Sequence, residues 1–261
     1  VNYAQAIVLG LVQGLTEFLP VSSSGHLVVA EAAVGLVTPG VVVEVMLHVA
    51  TLLAVVIVYR QRLVELAVGC ILGRAAAWRM FGLLALASIP AAVVGLALKD
   101  FFERAFDSLL VVGIDFVVTG IILWSTRRVA RDAVAEAPGV GGAGAIGVAQ
   151  AFAILPGISR SGTTVATALW FRVRPERAAE FSFLMALPAI AGAAVLELPH
   201  LSIGADGAGW GPLAAGFVAA LVSGVFAIRF LVALLKRGAF HHFAPYCWVL
   251  GIATVVWAVV R

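Results

Sequence analysis

The chain has 261 residues, of which 62% are apolar and 12% charged, with a formal net charge of +3. A soluble domain carries roughly 45–50% apolar and about 25% charged residues, so a disordered chain and an ordinary soluble enzyme are both excluded. The mean hydropathy of +1.09 leaves an integral membrane protein, and arginines clustered between apolar runs read as orientation signals, not as a nucleic-acid surface.

In chain order, residues 1–35 are apolar but interrupted by Pro20 and by Ser22-Ser23-Ser24-Gly25-His26. That pattern predicts two half-length helices joined by a polar elbow. Spans are predicted at about 41–59, 81–98 and 109–126, separated by loops 60–80 and 99–108. Residues 145–172 are again apolar but broken, by Pro156-Gly157 and Ser159-Arg160-Ser161-Gly162. Three more spans are predicted at 178–197, 212–235 and 243–260. Strand alternation is absent, which disfavours a β-barrel. Cys70 and Cys247 have no metal-ligand spacing and predict no disulfide framework. The first residues lack the basic and short apolar regions of a signal peptide.

The two elbows resemble one another: Gln13 … Phe18-Leu19-Pro20 precedes the serines of the first, and Gln150 … Ile154-Leu155-Pro156 precedes Ser159-Arg160-Ser161-Gly162 in the second. Three spans follow each. The expected architecture is therefore one all-α polytopic membrane domain over 1–261. It has six transmembrane helices plus two re-entrant helix pairs, in pseudo-repeat halves of about 1–130 and 140–261. An odd number of spans per half makes the repeat inverted, with a binding site near the midplane. Loops 60–80, 127–137 and 236–242 are basic and are expected on the cytoplasmic side. Loop 99–108 has mixed charge, and 198–211 has no lysine or arginine; both are expected outside.

Re-entrant backbone cannot face lipid, so the elbows must line a protein interior or a wet cavity. Gln13 and Glu17 are spaced i,i+4 and share a helix face. A carboxylate at bilayer depth reads as a metal ligand, a base, or the partner of an arginine. Ser22, Ser23 and Ser24 read as a helix cap, a nucleophile or phosphate ligands, and neighbouring His26 as an acid/base group. Arg160 at bilayer depth needs an anion, and its planar fork matches phosphate or carboxylate. A helix starting near Ser159 would aim its N–H groups at the same anion. Glu44 and His48 share a face and read as supporting residues; Asp115 reads as helix packing; Glu180 and Ser182 read as a snorkelling span start. His200, His241 and His242 are expected in solvated loops, and Glu197 at the interface. A carboxylate, an arginine, a histidine and hydroxyls at two elbows suit a phosphate ester or anhydride.

The stretches Gln13-Gly14-Leu15-Thr16-Glu17-Phe18-Leu19-Pro20-Val21-Ser22-Ser23-Ser24-Gly25-His26 and Pro156-Gly157-Ile158-Ser159-Arg160-Ser161-Gly162-Thr163-Thr164 resemble the two motifs of the undecaprenyl pyrophosphate phosphatase, or bacitracin-resistance protein, family. The resemblance covers nearly the whole chain. It implies removal of the terminal phosphate from a C55 polyprenyl diphosphate, yielding the monophosphate carrier used for peptidoglycan and other envelope polymers. It further implies a bacterial inner-membrane protein with an outward-facing site, a divalent cation (Mg²⁺ or Ca²⁺), a lipid substrate in the bilayer, and a homodimer. The family's first motif begins with Glu or Gln. Here it is Gln13, which leaves Glu17 as the main carboxylate.

On this reading Glu17, assisted by Gln13, binds the metal or orients the nucleophile, and Arg160 holds the diphosphate. Ser23 is the candidate nucleophile, with Ser22 next and a directly attacking water as the alternative. His26 is the acid/base partner. Ser24, Ser159, Ser161, Thr163, Thr164 and the backbone at Gly157 complete the phosphate ligands. A lateral groove is expected for the polyprenyl tail. The rival reading is a polyprenyl-phosphate flippase or anion transporter using the same inverted-repeat site.

Overall fold

A computed structural model describes residues 2–34, 41–129, 134–197 and 209–260. Among them the fold is all-helical, with one isolated parallel bridge between Ala135 and Val173. The first broken segment forms α1 (Tyr3–Phe18) and α2 (Ser23–Val34). Asn2 starts α1 with a capping box, since its side chain accepts from Gln5 N–H while the Gln5 side chain accepts from the Asn2 N–H. Next come α3 (Val41–Ile71), α4 (Ala75–Ala97), the short α5 (Lys99–Phe106) and α6 (Leu109–Ser125). The second broken segment forms α7 (Val140–Phe152) and α8 (Arg160–Trp170). It is followed by α9 (Pro175–Glu197), α10 (Trp210–Lys236) and α11 (Ala244–Val260).

Among the described residues five segments are long and apolar enough to cross a membrane: Val42–Ile71, Ala75–Ala97, Leu109–Arg128, Trp210–Lys236 and Phe240–Val260. They turn apolar side chains outward, as Val218, Val222, Phe226 and Phe230 of α10 do. This is a multi-pass helical membrane protein. The sixth predicted segment, 178–197, is helical as part of α9. Its first half is enclosed, with Phe181, Ser182, Phe183, Leu184, Met185 and Ala186 all buried.

Two predicted loops are helix instead. Over 60–80 the chain leaves helix only in a tight turn at 72–74: α3 continues past a kink at Tyr59 (φ −102°, ψ 18°) to Ile71, and α4 begins at Ala75. Hydropathy marks where a helix stops being apolar, not where it ends, and Gln61-Arg62-Leu63-Val64-Glu65 are mostly good helix formers. Most of 99–108 likewise forms α5, with Phe102 and Ala105 buried and the charged side chains exposed. Loop 198–208, with His200, lies outside the described residues, as do 130–133 of the basic loop after α6.

Helix pairing follows small residues. α1 lies along α10, α7 along α4, α6 against α11, and α3 against both α9 and α10. Gly10 and Gly14 form a G-x-x-x-G stripe on α1, and a side chain at Gly14 would run into Ser223 Oγ and the Ala220 carbonyl of α10. Close backbone approach of this kind replaces the hydrophobic driving force that lipid cannot supply. α8 is the central element: every residue from Ser161 to Leu169 is buried. Its polar start is therefore kept from lipid by protein, as irregular backbone at membrane depth requires.

Candidate active site

The first elbow joins α1 to α2. α1 stops because Leu19, ahead of Pro20, takes extended backbone (φ −66°, ψ 146°). Ser22 then adopts a left-handed φ of 67°, uncommon outside glycine. Its hydroxyl accepts from the Gly25 N–H at 3.4 Å and from the Gly157 N–H of the other elbow at 3.2 Å. The second elbow joins α7 to α8 and turns on Gly157 at φ 101°. A side chain there would strike the Val112 carbonyl and Asp115 Cβ of α6. Ser159 caps α8 through Gly162 N–H at 3.1 Å. Thr119 of α6 pins the turn: its hydroxyl donates to the Gly157 carbonyl at 2.8 Å and accepts from Ser159 N–H at 3.1 Å.

The elbows touch. Besides the Ser22–Gly157 bond, Ser161 Oγ donates to the Leu19 carbonyl at 3.2 Å. A Cβ on Gly25 would lie 2.9 Å from Gly157 Cα. Across this junction Arg160 Nη2 donates to Glu17 Oε1 at 2.5 Å. The other carboxylate oxygen, Oε2, accepts from Ser23 Oγ at 2.9 Å and from Gln13 Nε2 at 3.2 Å. The Glu17 and Arg160 side chains are 8% and 17% exposed. The second terminal nitrogen of Arg160, Nη1, is buried without a protein partner, and so is the Thr163 hydroxyl three residues along α8. Two buried donors on one helix face, at a helix N-terminus, make a place for an anion. His48 of α3 is close enough to Glu17 to interact with it electrostatically.

Gln13, Glu17, Ser23 and Arg160 thus come together as one cluster. Thr163 sits beside Arg160 on α8, while the other predicted hydroxyls are engaged elsewhere. Ser22 and Ser159 spend their hydroxyls on the backbone of the elbows. Ser24 lies 3.4 Å from Ser22 Oγ, and Ser161 lies 3.3 Å from Ser159 Oγ. Thr164 donates to the Arg160 carbonyl and meets Ser182 of α9 at 2.6 Å, so its hydroxyl is already engaged. His26 does not reach Ser23. Its Nδ1 lies 2.7 Å from the Ser22 carbonyl, which can only accept, so Nδ1 carries the proton. In the neutral ring Nε2 therefore accepts from the Tyr246 hydroxyl at 2.6 Å.

Sequence reasoning missed Thr119 and Tyr246, because a threonine and a tyrosine inside apolar segments carry no local signal. Asp115 packs against the Gly157 turn, and its Oδ2 is buried without a protein partner. Glu180 does not snorkel. It is 12% exposed and paired with Arg62 and Arg177, each at 2.8 Å, while Arg177 and Arg174 reach Glu136. The exposed Glu44 side chain takes no part in the cluster, and His48 bonds only the Glu44 carbonyl, at 2.9 Å.

Among the described residues no three His, Cys, Asp or Glu side chains converge. The junction instead offers a carboxylate, an amide and hydroxyls. This hard-oxygen set fits a Mg²⁺- or Ca²⁺-sized ion that takes its remaining ligands from phosphate and water.

Fold and site together define a polytopic membrane protein whose two broken helices meet in a buried cluster of carboxylate, arginine and hydroxyls. The family model for bacitracin resistance protein BacA matches residues 6–253, and the chain belongs to that family. The undecaprenyl-diphosphatase of Carboxydothermus hydrogenoformans is 41% identical over 260 residues, covering 98% of this chain and 97% of its own. That of Syntrophotalea carbinolica is 42% identical over 255 residues, covering 96% and 97%. That of Desulforapulum autotrophicum is 40% identical over 271 residues, covering 97% of each.

Proposed function

We propose that this chain is an undecaprenyl-diphosphatase, which hydrolyses undecaprenyl diphosphate to undecaprenyl phosphate and inorganic phosphate and so returns the lipid carrier to envelope synthesis. One observation carries the reading. A buried carboxylate, Glu17, holds a hydroxyl, Ser23, on one oxygen and an arginine on the other, and that arginine keeps a second buried donor free. A carrier of anions needs the arginine but has no use for a hydroxyl held by a carboxylate.

The chemistry follows from those contacts. Arg160 Nη1, Thr163 Oγ1 and the N–H groups at the start of α8 bind the terminal phosphoryl oxygens, where charge gathers in the transition state. Ser23 Oγ attacks the terminal phosphorus as Glu17 Oε2 takes its proton. The Oγ–P bond forms, the phosphoanhydride bond breaks, and the lipid monophosphate leaves. Its second pKa is about 6, so it departs without being protonated first. Glu17 gives the Ser23 proton up to solvent. Water then attacks the phosphoserine, Glu17 takes the water's proton and returns it to Ser23 Oγ as the Oγ–P bond breaks, and inorganic phosphate is released. His26 lies three residues from Ser23 on the same face of α2; tied to the Ser22 carbonyl and the Tyr246 hydroxyl, it positions the start of α2 on the lipid side of the phosphate. Glu17 and Gln13 would hold a Mg²⁺ or Ca²⁺ ion, which when bound offsets the charge on the diphosphate oxygens.

The finer architecture belongs to the same reading: six spans and two re-entrant pairs, in inverted halves of about 1–130 and 140–261. Exchanging the halves sends α1 to α7 and α4 to α10, so the α1–α10 and α7–α4 packings become equivalents, while α3–α9 and α6–α11 map onto themselves. The contacts from Arg62 and Glu180 to Arg177, Glu136 and Arg174 support one cytoplasmic face for the basic segments. In inverted halves the elbows enter from opposite faces and meet within the membrane, and the site between them faces the exterior of a bacterial inner membrane.

The test is phosphate release from C55 diphosphate by purified protein in detergent, with Mg²⁺ or Ca²⁺ and then with chelator. Metal-dependent release that Ser23→Ala reduces by about 10²–10⁴-fold is expected, since nucleophile and base are lost together. Lipid binding without release, from folded protein, would overturn the hydrolase reading in favour of carriage.

A further inference from the structure

Beside the junction, α2 and α11 are bridged near their starts by His26 and Tyr246. The two rings stack with centroids 5.7 Å apart and 5° between planes, and they share the 2.6 Å hydrogen bond. Beyond this bridge the helices leave a cleft of about 290 Å³ lined by Val29, Ala33, Leu250, Ala253, Thr254 and Trp257. The lining positions follow helical spacing from the bridge, at 29 and 33 after His26 and at 250, 253, 254 and 257 after Tyr246. The Thr254 hydroxyl donates back to the Leu250 carbonyl at 2.8 Å, so it adds no free donor to an otherwise apolar wall. Ser23 starts the same α2. At 1.5 Å per residue, Val29 lies about 9 Å and Ala33 about 15 Å beyond it along the helix axis.

We propose that this cleft seats the first isoprenoid units of the lipid diphosphate, with the His26–Tyr246 pair as the boundary between headgroup and tail. The inference rests on the diphosphatase reading and deepens it. Continuity fixes the occupant: the cleft shares α2 with Ser23, begins one turn past the polar pair, and turns apolar where a phosphorylated isoprenoid does. Its volume is at the low end for a small-molecule site, which suits a few isoprene units and sends the rest of a 55-carbon chain into the bilayer. Lipid tails are as apolar as the cleft walls, so the cleft gains little from burial and acts by orienting the headgroup. Its effect is therefore read in kcat/KM.

Tail length and cleft filling together test this. Phosphate release from fifteen-carbon and five-carbon isoprenoid diphosphates is measured for the wild type, Ala253→Trp and Ala33→Phe. The control is Val249→Trp, on the exposed face of α11. In both cleft variants kcat/KM on the fifteen-carbon substrate is expected to fall tenfold or more. On the five-carbon substrate it should stay within about twofold, and the control should match the wild type on both. A fall that is equal on the two substrates, or shared by the control, overturns the inference. If neither cleft variant elutes as folded protein, the wild type is photolabelled with a fifteen-carbon diphosphate bearing a terminal benzophenone. Adducts on 29–33 or 250–257 support the cleft, and adducts confined elsewhere overturn it. A wild type that releases phosphate from no isoprenoid diphosphate overturns the diphosphatase reading itself, and the cleft assignment with it.

Discussion

Whether Glu17 and Arg160 form a scaffold or a reaction centre can be decided by separating stability from activity. Both side chains are largely enclosed, at 8% and 17% exposed, and Arg160 donates to Glu17 at 2.5 Å. Removing one partner of such a pair leaves an uncompensated buried charge and costs about 3–5 kcal/mol, whereas replacing both with uncharged groups of similar volume is close to neutral. Arg160→Met is therefore expected to destabilise the protein by about 3–5 kcal/mol, and adding Glu17→Gln should recover most of that loss. Activity should not follow. Losing a donor to the developing phosphoryl charge costs about 10²–10³ in kcat, and the double variant loses the base for Ser23 as well. Denaturant unfolding in detergent and phosphate release, measured on the same preparations, give the two readouts. A double variant that regains more than about a tenth of wild-type activity along with its stability would refute the argument and leave the pair a structural strut.

Thr119→Val removes a hydroxyl that both donates to the Gly157 carbonyl and accepts from Ser159 N–H. With two buried backbone groups left unsatisfied at about 1–3 kcal/mol each, unfolding should show a loss of about 2–6 kcal/mol, and Thr119→Ser should restore most of it. Tyr246→Phe frees His26 Nε2 from its 2.6 Å partner and should lower kcat/KM several-fold. The same change in a His26→Ala background should add nothing, and an additive loss in that double variant would separate the two residues. Chelation should abolish phosphate release while leaving the unfolding midpoint of substrate-free protein unchanged, because no protein-only cage exists among the described residues. A midpoint that drops on chelation would mean a resident structural ion.

The breaks in the chain were legible because proline and serine runs cannot be mistaken for a lipid-facing helix. Pro20 and Pro156 mark where α1 and the α7 turn stop, and the residues beside them carry the chemistry. Glu17 and Arg160 were legible for a related reason: a charge at bilayer depth is too costly to be idle. What joins them was not. They are 143 positions apart, and the contact depends on how far α8 is rotated and how deeply it sits, which Thr119 and the Gly157 turn set from α6. Nothing in the string Val117-Val118-Thr119-Gly120 distinguishes such a pin from an ordinary span residue. The serines illustrate the limit from the other side. Ser22, Ser23 and Ser24 are chemically equivalent in sequence, and position alone divides them. Ser22 is turned by its positive φ toward the other elbow's backbone, so it is consumed in holding the two halves together. Ser23, one residue on and already inside α2, points its hydroxyl at Glu17. The device that ties the elbows and the group offered for reaction are neighbours for a physical reason. A hydroxyl can be presented to a buried carboxylate only if the turn carrying it is fixed first, and at membrane depth only the protein's own polar groups are there to fix it.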